Sequence, residues 1–147
     1  MRENNKIPLE GEHTANVYAY NVRISTKNSV EVCNFIRNKN LTKAKTQLQK
    51  VLKFKQVIPL KRYKKDQPHR PGKIAAGSFP IKTTKEFLNI LNTLEANASQ
   101  KNLDTKNLVI FHALANKGPQ NWHTGRHRRR RVKSTHIELK VKENKND

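Results

Sequence analysis

Apolar residues recur along the chain in blocks of different period. Asn16–Ile24 (N-V-Y-A-Y-N-V-R-I) is rich in β-branched and aromatic residues and predicts a strand. Asn28-x-x-Glu31 has the lettering of a helix N-terminal box. Val30, Cys33 and Ile36 or Arg37 follow at helical spacing, so a first helix is expected to end near Asn38. Thr42 is the expected cap of a second helix, whose Ala44, Leu48, Val51 and Leu52 form one apolar stripe. Thr83-x-x-Glu86 is the expected capping box of a third. Its Phe87, Ile90, Leu91, Leu94 and Ala98 keep the helical rhythm to about Gln100. Leu108–Ala115 (L-V-I-F-H-A-L-A) is nearly all apolar and reads as a buried strand. Thr135–Val141 alternates, with Ile137, Leu139 and Val141 on one face and His136, Glu138 and Lys140 on the other.

Between these blocks the periodicity stops twice. Residues 53–80 hold Pro59, Pro68, Pro71, Gly72, Gly77 and Pro80, and read as a basic loop long enough to suggest function or disorder. Residues 117–133 separate the last two strands, and the simplest geometry joins those strands as one long antiparallel hairpin with this segment as its tip. The chain therefore reads as α+β. A single domain is expected over 16–141, with tails at 1–15 and 142–147.

Composition narrows the possibilities. The 147 residues carry 31 Lys and Arg against 11 Asp and Glu, a net charge of +20. Only 34% are hydrophobic, so part of the chain must be ordered by a partner or not at all. No apolar run reaches the ~18 residues a membrane helix needs. The polar start, Met1 to Lys6, has no apolar stretch of a secretory signal. The one cysteine, Cys33, rules out an internal disulfide framework and a multi-cysteine zinc site, which points to a reducing compartment. The N-x-[ST] matches at Asn40 and Asn97 are then accidental. So large a charge on so short a chain implies a polyanionic partner, and nucleic acid is the commonest.

The charge is concentrated where the periodicity fails. Lys50–Lys73 holds nine basic residues and one acid; Lys117–Lys133 holds seven basic residues and no acid. A two-residue turn would suffice for a hairpin. With half of 117–133 running out and half back, the tip would reach about 30 Å beyond the sheet. Arg126 and Arg128–Arg131 repel one another in water but fit phosphate oxygens with planar forks of donors. Trp122, His123 and His127 add stacking faces. The bland alternatives are a localisation signal or a solvated patch for the arginines, and a displaced core residue for Trp122.

Short pieces of lettering, in order, carry a resemblance. They are K-N-S-V-E (Lys27–Glu31), L-T-K-A-K (Leu41–Lys45), I-P-L-K-R-Y (Ile58–Tyr63), F-P-I-K (Phe79–Lys82) and L-E-A-N-A (Leu94–Ala98). K-N-L-D (Lys101–Asp104), L-V-I-F-H (Leu108–His112), N-K-G-P (Asn116–Pro119) and T-H-I-E (Thr135–Glu138) follow. From about Asn21 to Val141 the chain resembles the universal large-subunit ribosomal protein twenty-two family, the eukaryotic ribosomal protein L-seventeen, and is closer to its archaeal and eukaryotic branch. The resemblance implies three helices on a three-stranded antiparallel sheet, with a long extended β-hairpin that penetrates ribosomal RNA. It implies RNA contacts by Arg23, Lys27, Lys61, Arg62, Tyr63, Lys64, Lys117, Arg128, Arg129, Arg130, Arg131 and Lys133. It implies a tip of Trp122, His123, Gly125, Arg126 and His127 lining the nascent-peptide tunnel. The implied partners are large-subunit ribosomal RNA, neighbouring large-subunit proteins and the nascent peptide, with no membrane. The implied place is the cytoplasmic ribosome, with a nucleolar stage of assembly in a eukaryote. The tip is a few residues shorter than in eukaryotic members, and loop 64–78 lacks most of their aromatic and glycine lettering. Both trims resemble a compacted eukaryotic ribosome.

No constellation suggests an enzyme, and no cofactor is expected. His123-x₃-His127 has no acidic third ligand nearby, so no metal site is expected. Cys33 reads as a small buried hydrophobe, and His112 and His136 as strand residues that pack or touch RNA. No glycine-rich phosphate loop is present. The rival to a ribosomal constituent is a free-standing basic RNA-binding protein or RNA chaperone.

Overall fold

The computed structural model describes residues 13–144. Nine strands and helices follow in order among these residues: β1 (Thr14–Val22), α1 (Thr26–Ile36), α2 (Leu41–Leu52), β2 (Ile58–Pro59), β3 (His69–Arg70), β4 (Ile74–Ser78), α3 (Ile81–Gln100), β5 (Leu108–Lys117) and β6 (Thr135–Glu143). The fold is α+β. One antiparallel sheet has the order β1-β6-β5, with β6 in the centre. One face of it is apolar: Ala15 and Val17 of β1, Ile137, Leu139 and Val141 of β6, and Ile110, Ala113 and Ala115 of β5 are buried. In register, Val17 and Ala113 flank Leu139.

The helices close this face. α1 packs on β5, α3 on β1, and α2 on α3. Their expected stripes are buried at Ala44, Leu48 and Val51 on α2 and at Phe87, Ile90, Leu91, Leu94 and Ala98 on α3, whereas Leu52, expected on the α2 stripe, is only partly buried. Complete burial of a side chain such as Leu91 or Leu139 is worth about 2 kcal/mol. Cys33 lies in the same core, and burial pushes its thiol up to about 12 against the opposing charge of Arg37. At pH 8 only about one molecule in 10⁴ then holds a thiolate. An aromatic disulfide reagent is expected to leave the native protein unmodified and to react promptly in denaturant. Fast reaction of the native chain would contradict the packing.

Several expectations are corrected. Asn28 and Glu31 form no capping box. Ser25 is the N-cap of α1 without a side-chain bond, and the buried Glu31 carboxylate accepts the backbone N–H groups of Lys61, Arg62 and Tyr63 at 3.1, 2.8 and 2.7 Å. Asn40, not Thr42, caps α2 by accepting the Thr42 N–H at 2.9 Å. α3 begins two residues earlier than its expected box, behind Pro80. Thr83 and Thr84 are buried inside it, and the Thr84 hydroxyl donates to the Pro80 carbonyl. β5 is half-buried, not wholly buried, and Leu114 is exposed. A register shift between Ile110 and His112 turns both Ile110 and Ala113 to the core.

The basic stretch 53–80 is not a structureless loop. β4 pairs with β2 on one side and β3 on the other, and Ile58, Leu60 and Ala76 are buried there. Gly77 lies against Val57, where a Cβ would clash with its methyl. The tails are shorter than expected, because Thr14 and Ala15 belong to β1 and Lys142 and Glu143 to β6. The remainder of both tails, 1–12 and 145–147, lies outside the described residues.

Candidate nucleic-acid interface

β5 and β6 stay paired out to Lys117↔Thr135. Beyond that point the two branches remain joined. Gly118 N–H donates to the Ser134 carbonyl (3.0 Å), Val132 to Asn121 (2.8 Å) and His123 to Arg130 (2.9 Å). Trp122 and Arg131 form an antiparallel bridge. Five residues lead from Lys117 to Trp122 but four from Arg131 to Thr135, so the outgoing branch carries one extra residue. A 3₁₀ turn over Gly125–His127 closes the end, with Gly125 at φ +66°. This turn shortens the arm. Running out from Lys117 to Thr124, it spans at most about 23 Å rather than 30 Å. A side chain at Gly118 would have to displace the Ser134 hydroxyl, which donates to Asn21 Oδ1 at 3.3 Å.

The end of the arm is cationic and exposed. Arg126 to Arg130, with His127 among them, surround an open cavity of about 500 Å³. The Arg131 guanidinium lies 4.3 Å from the centre of the Trp122 ring, and that ring is 56% exposed. It is therefore neither a core residue nor hidden by its cation. The ion pairs among the described residues use Glu95, Glu138 and Glu143, all on the body. No carboxylate among those residues neutralises a cation of 117–133.

The base of the arm meets the body at the start of α1. Arg23, His123, Arg131 and Lys133 line one cavity of about 460 Å³, together with Ser25, Asn28 and Lys82. Lys27, Tyr63, Lys64, Lys117 and Lys133 line a second of about 540 Å³, with Gln120. Arg62 and Lys27 lie 5.3 and 6.0 Å from the centre of the Tyr63 ring. Lys61 sits apart, beside Glu31, Arg37 and Lys39. The expected residues thus fall in two neighbouring groups, the apex and the junction of arm and body, with Lys61 at the margin; His123 and Arg131, next to the apex in sequence, line the junction cavity against the starts of α1 and α3.

Sequence reasoning missed Lys82, Asn28 and Gln120. Lys82 was visible in F-P-I-K, but nothing local showed that α3 starts beside Arg23. Tyr18 and Tyr20 were read only as strand residues. They are exposed on the outer sheet face with nearly parallel rings 6.4 Å apart, and His136 meets Tyr20 edge-on. Among the described residues, no cluster of three or more His, Cys, Asp or Glu is placed to hold a metal, and no helix is long and apolar enough to cross a membrane.

Comparison with known proteins gives a consistent result. The family described as "Ribosomal protein L22p/L17e" matches residues 17–142. A "Large ribosomal subunit protein uL22" of Nanoarchaeum equitans is 42% identical over 141 residues, covering 91% of this chain and 81% of that protein. The protein of the same description in Archaeoglobus fulgidus is 44% identical over 113 residues, 76% of this chain and 73% of its own length. That of Methanococcus aeolicus is 38% identical over 117 residues, 78% and 76% respectively. These relatives are archaeal, which favours the archaeal branch over a compacted eukaryotic version.

Proposed function

The chain belongs to the ribosomal protein L22p/L17e family, in its archaeal branch, and from that premise we propose that this structural constituent of the large ribosomal subunit binds and organises large-subunit RNA and lines the nascent-peptide tunnel with its hairpin tip. The body, described here over 13–144, acts as one RNA-binding domain. Arg23, Lys27, Lys61, Arg62, Tyr63, Lys64, Lys117, Arg128–Arg131 and Lys133 contact RNA. Trp122, His123, Gly125, Arg126 and His127 form the tunnel-facing end, where the nascent peptide passes. Neighbouring large-subunit proteins pack alongside, in the cytoplasmic ribosome.

One observation carries this reading: the family match spans 17–142, a range that includes the whole hairpin, and the apex of that hairpin carries cations that no carboxylate among the described residues neutralises. Phosphates relieve the mutual repulsion of these guanidiniums, and releasing the counterions condensed on RNA drives the association. The work done is placement, not turnover: a fixed body holds a row of bidentate donors at the end of a two-stranded arm.

The test is sedimentation of cell extract. The chain is expected to travel with large subunits and to stay with them through a moderate salt wash, because the arm is enclosed by folded RNA. Complete stripping by that wash, with the chain recovered free, would favour a free-standing RNA binder, whose affinity falls steeply with salt.

A further inference from the structure

The two cavities at the arm base lie side by side, with Ser25 and Lys133 lining both. The first collects Arg23, Lys82, and Arg131 with Lys133 from three separate parts of the chain, and no carboxylate is among its lining residues. The first turns of two helices also open onto it. In α1 the first backbone bond back to the cap is made by Ser29 N–H, at 2.9 Å to the Ser25 carbonyl. The N–H groups of Thr26, Lys27 and Asn28 have no acceptor among the described residues, and Ser25 gives no side-chain cap. In α3 the first such bond is Thr84 N–H to the Pro80 carbonyl, which leaves those of Lys82 and Thr83 free. Neither first turn carries an acid. Asn28, itself only partly buried, brings one further polar group: its Oδ1 has no hydrogen-bond partner and, as an acceptor, suits a ribose hydroxyl beside the phosphate rather than the phosphate itself.

The second cavity differs in character. Tyr63 offers a ring face, and Gln120 offers an amide with both donors and an acceptor. Lys27, on its rim, lies 6.0 Å from the Tyr63 ring centre, so an incoming base takes the place of that cation over the ring.

We propose that these paired cavities form a site for one unpaired nucleotide of RNA. Its phosphate lies in the first cavity, on the helix N-termini and the four cations, and its base lies in the second, against Tyr63 and within reach of Gln120. Helix N-termini favour the phosphate by their free N–H groups and aligned dipoles. An aromatic ring accepts any base by stacking, while the amide edge selects among them. The proposal rests on the RNA-binding reading above and adds to it a preference for a bulged nucleotide over a continuous duplex.

The experiment uses the full chain and two RNA hairpins, one fully paired and one identical but for a single bulged adenosine. Affinities are measured across a range of KCl. The bulged RNA is expected to bind about tenfold more tightly, the size of one base–aromatic stack. Tyr63→Leu should abolish that preference, and Tyr63→Phe should keep it. Lys82→Ala should weaken both RNAs about equally and reduce the salt slope by about one. Equal affinity of the parent protein for the two RNAs, or a preference that survives Tyr63→Leu, would overturn the proposal while leaving RNA binding intact. Failure to bind either RNA would instead strike the reading on which it rests.

Discussion

Replacing Arg128, Arg129, Arg130 and Arg131 together with alanine is expected to lower affinity for large-subunit RNA by at least about 100-fold at physiological salt. The melting temperature should stay within about 2 °C of the parent. These side chains are exposed, and no carboxylate among the described residues pairs with them, so the folded body loses little. Bound to RNA, each guanidinium exchanges counterions for a charge-assisted bond. Removing four should reduce the slope of log affinity against log salt by about 3.6. Lysine at the same positions keeps the charge but not the bidentate fork, so it should preserve the slope and restore only part of the affinity. Filter binding over a salt series, beside a thermal melt, checks all three. An unchanged slope would mean that the apex does not touch phosphate.

Glu31→Ala carries the second large effect, and its sign is informative. The substitution raises the formal net charge by one above +20, so charge alone forecasts tighter RNA binding. The structure forecasts weaker binding. The Glu31 carboxylate, 1% exposed, holds three successive N–H groups of the segment that presents Lys61, Arg62 and Tyr63. Without it those donors lose their acceptor and the segment leaves α1. The expected loss of stability is about 2–4 kcal/mol, which for a domain of this size lowers the melting temperature by about 8–15 °C. RNA affinity, measured well below that melting range, should fall several-fold. Glu31→Gln keeps one acceptor oxygen and should lie between. Tighter binding by Glu31→Ala would show that the segment's placement does not matter.

Glu31 also shows how far the sequence could be read. Its spacing from Asn28 looked like a local cap, because that pattern is usually satisfied within one turn. Here the carboxylate is spent on a segment some thirty residues away, and no local rule anticipates that. Thr83 misled similarly, since burial against the core outweighed its preference for a cap. Where a period was long enough, it was reliable. The stripe from Phe87 to Ala98 and the alternation from Ile137 to Val141 are the buried faces observed. β2 and β3, two residues each, offer no period to detect, so their stretch read as loop. The arginine apex was legible because its residues are consecutive. The meeting of Arg23, Lys82 and Lys133 was not, because only the packing of three separate elements brings them together.

The most direct measurement is a density map of native large subunits, at side-chain resolution, with this chain traced through it. Residues 117–133 should run between RNA strands, with phosphate oxygens about 3 Å from the guanidiniums of Arg128–Arg131 and with Trp122 and His123 facing the tunnel. An arm standing in solvent, or lying against its own helices with no RNA beside it, would contradict the account.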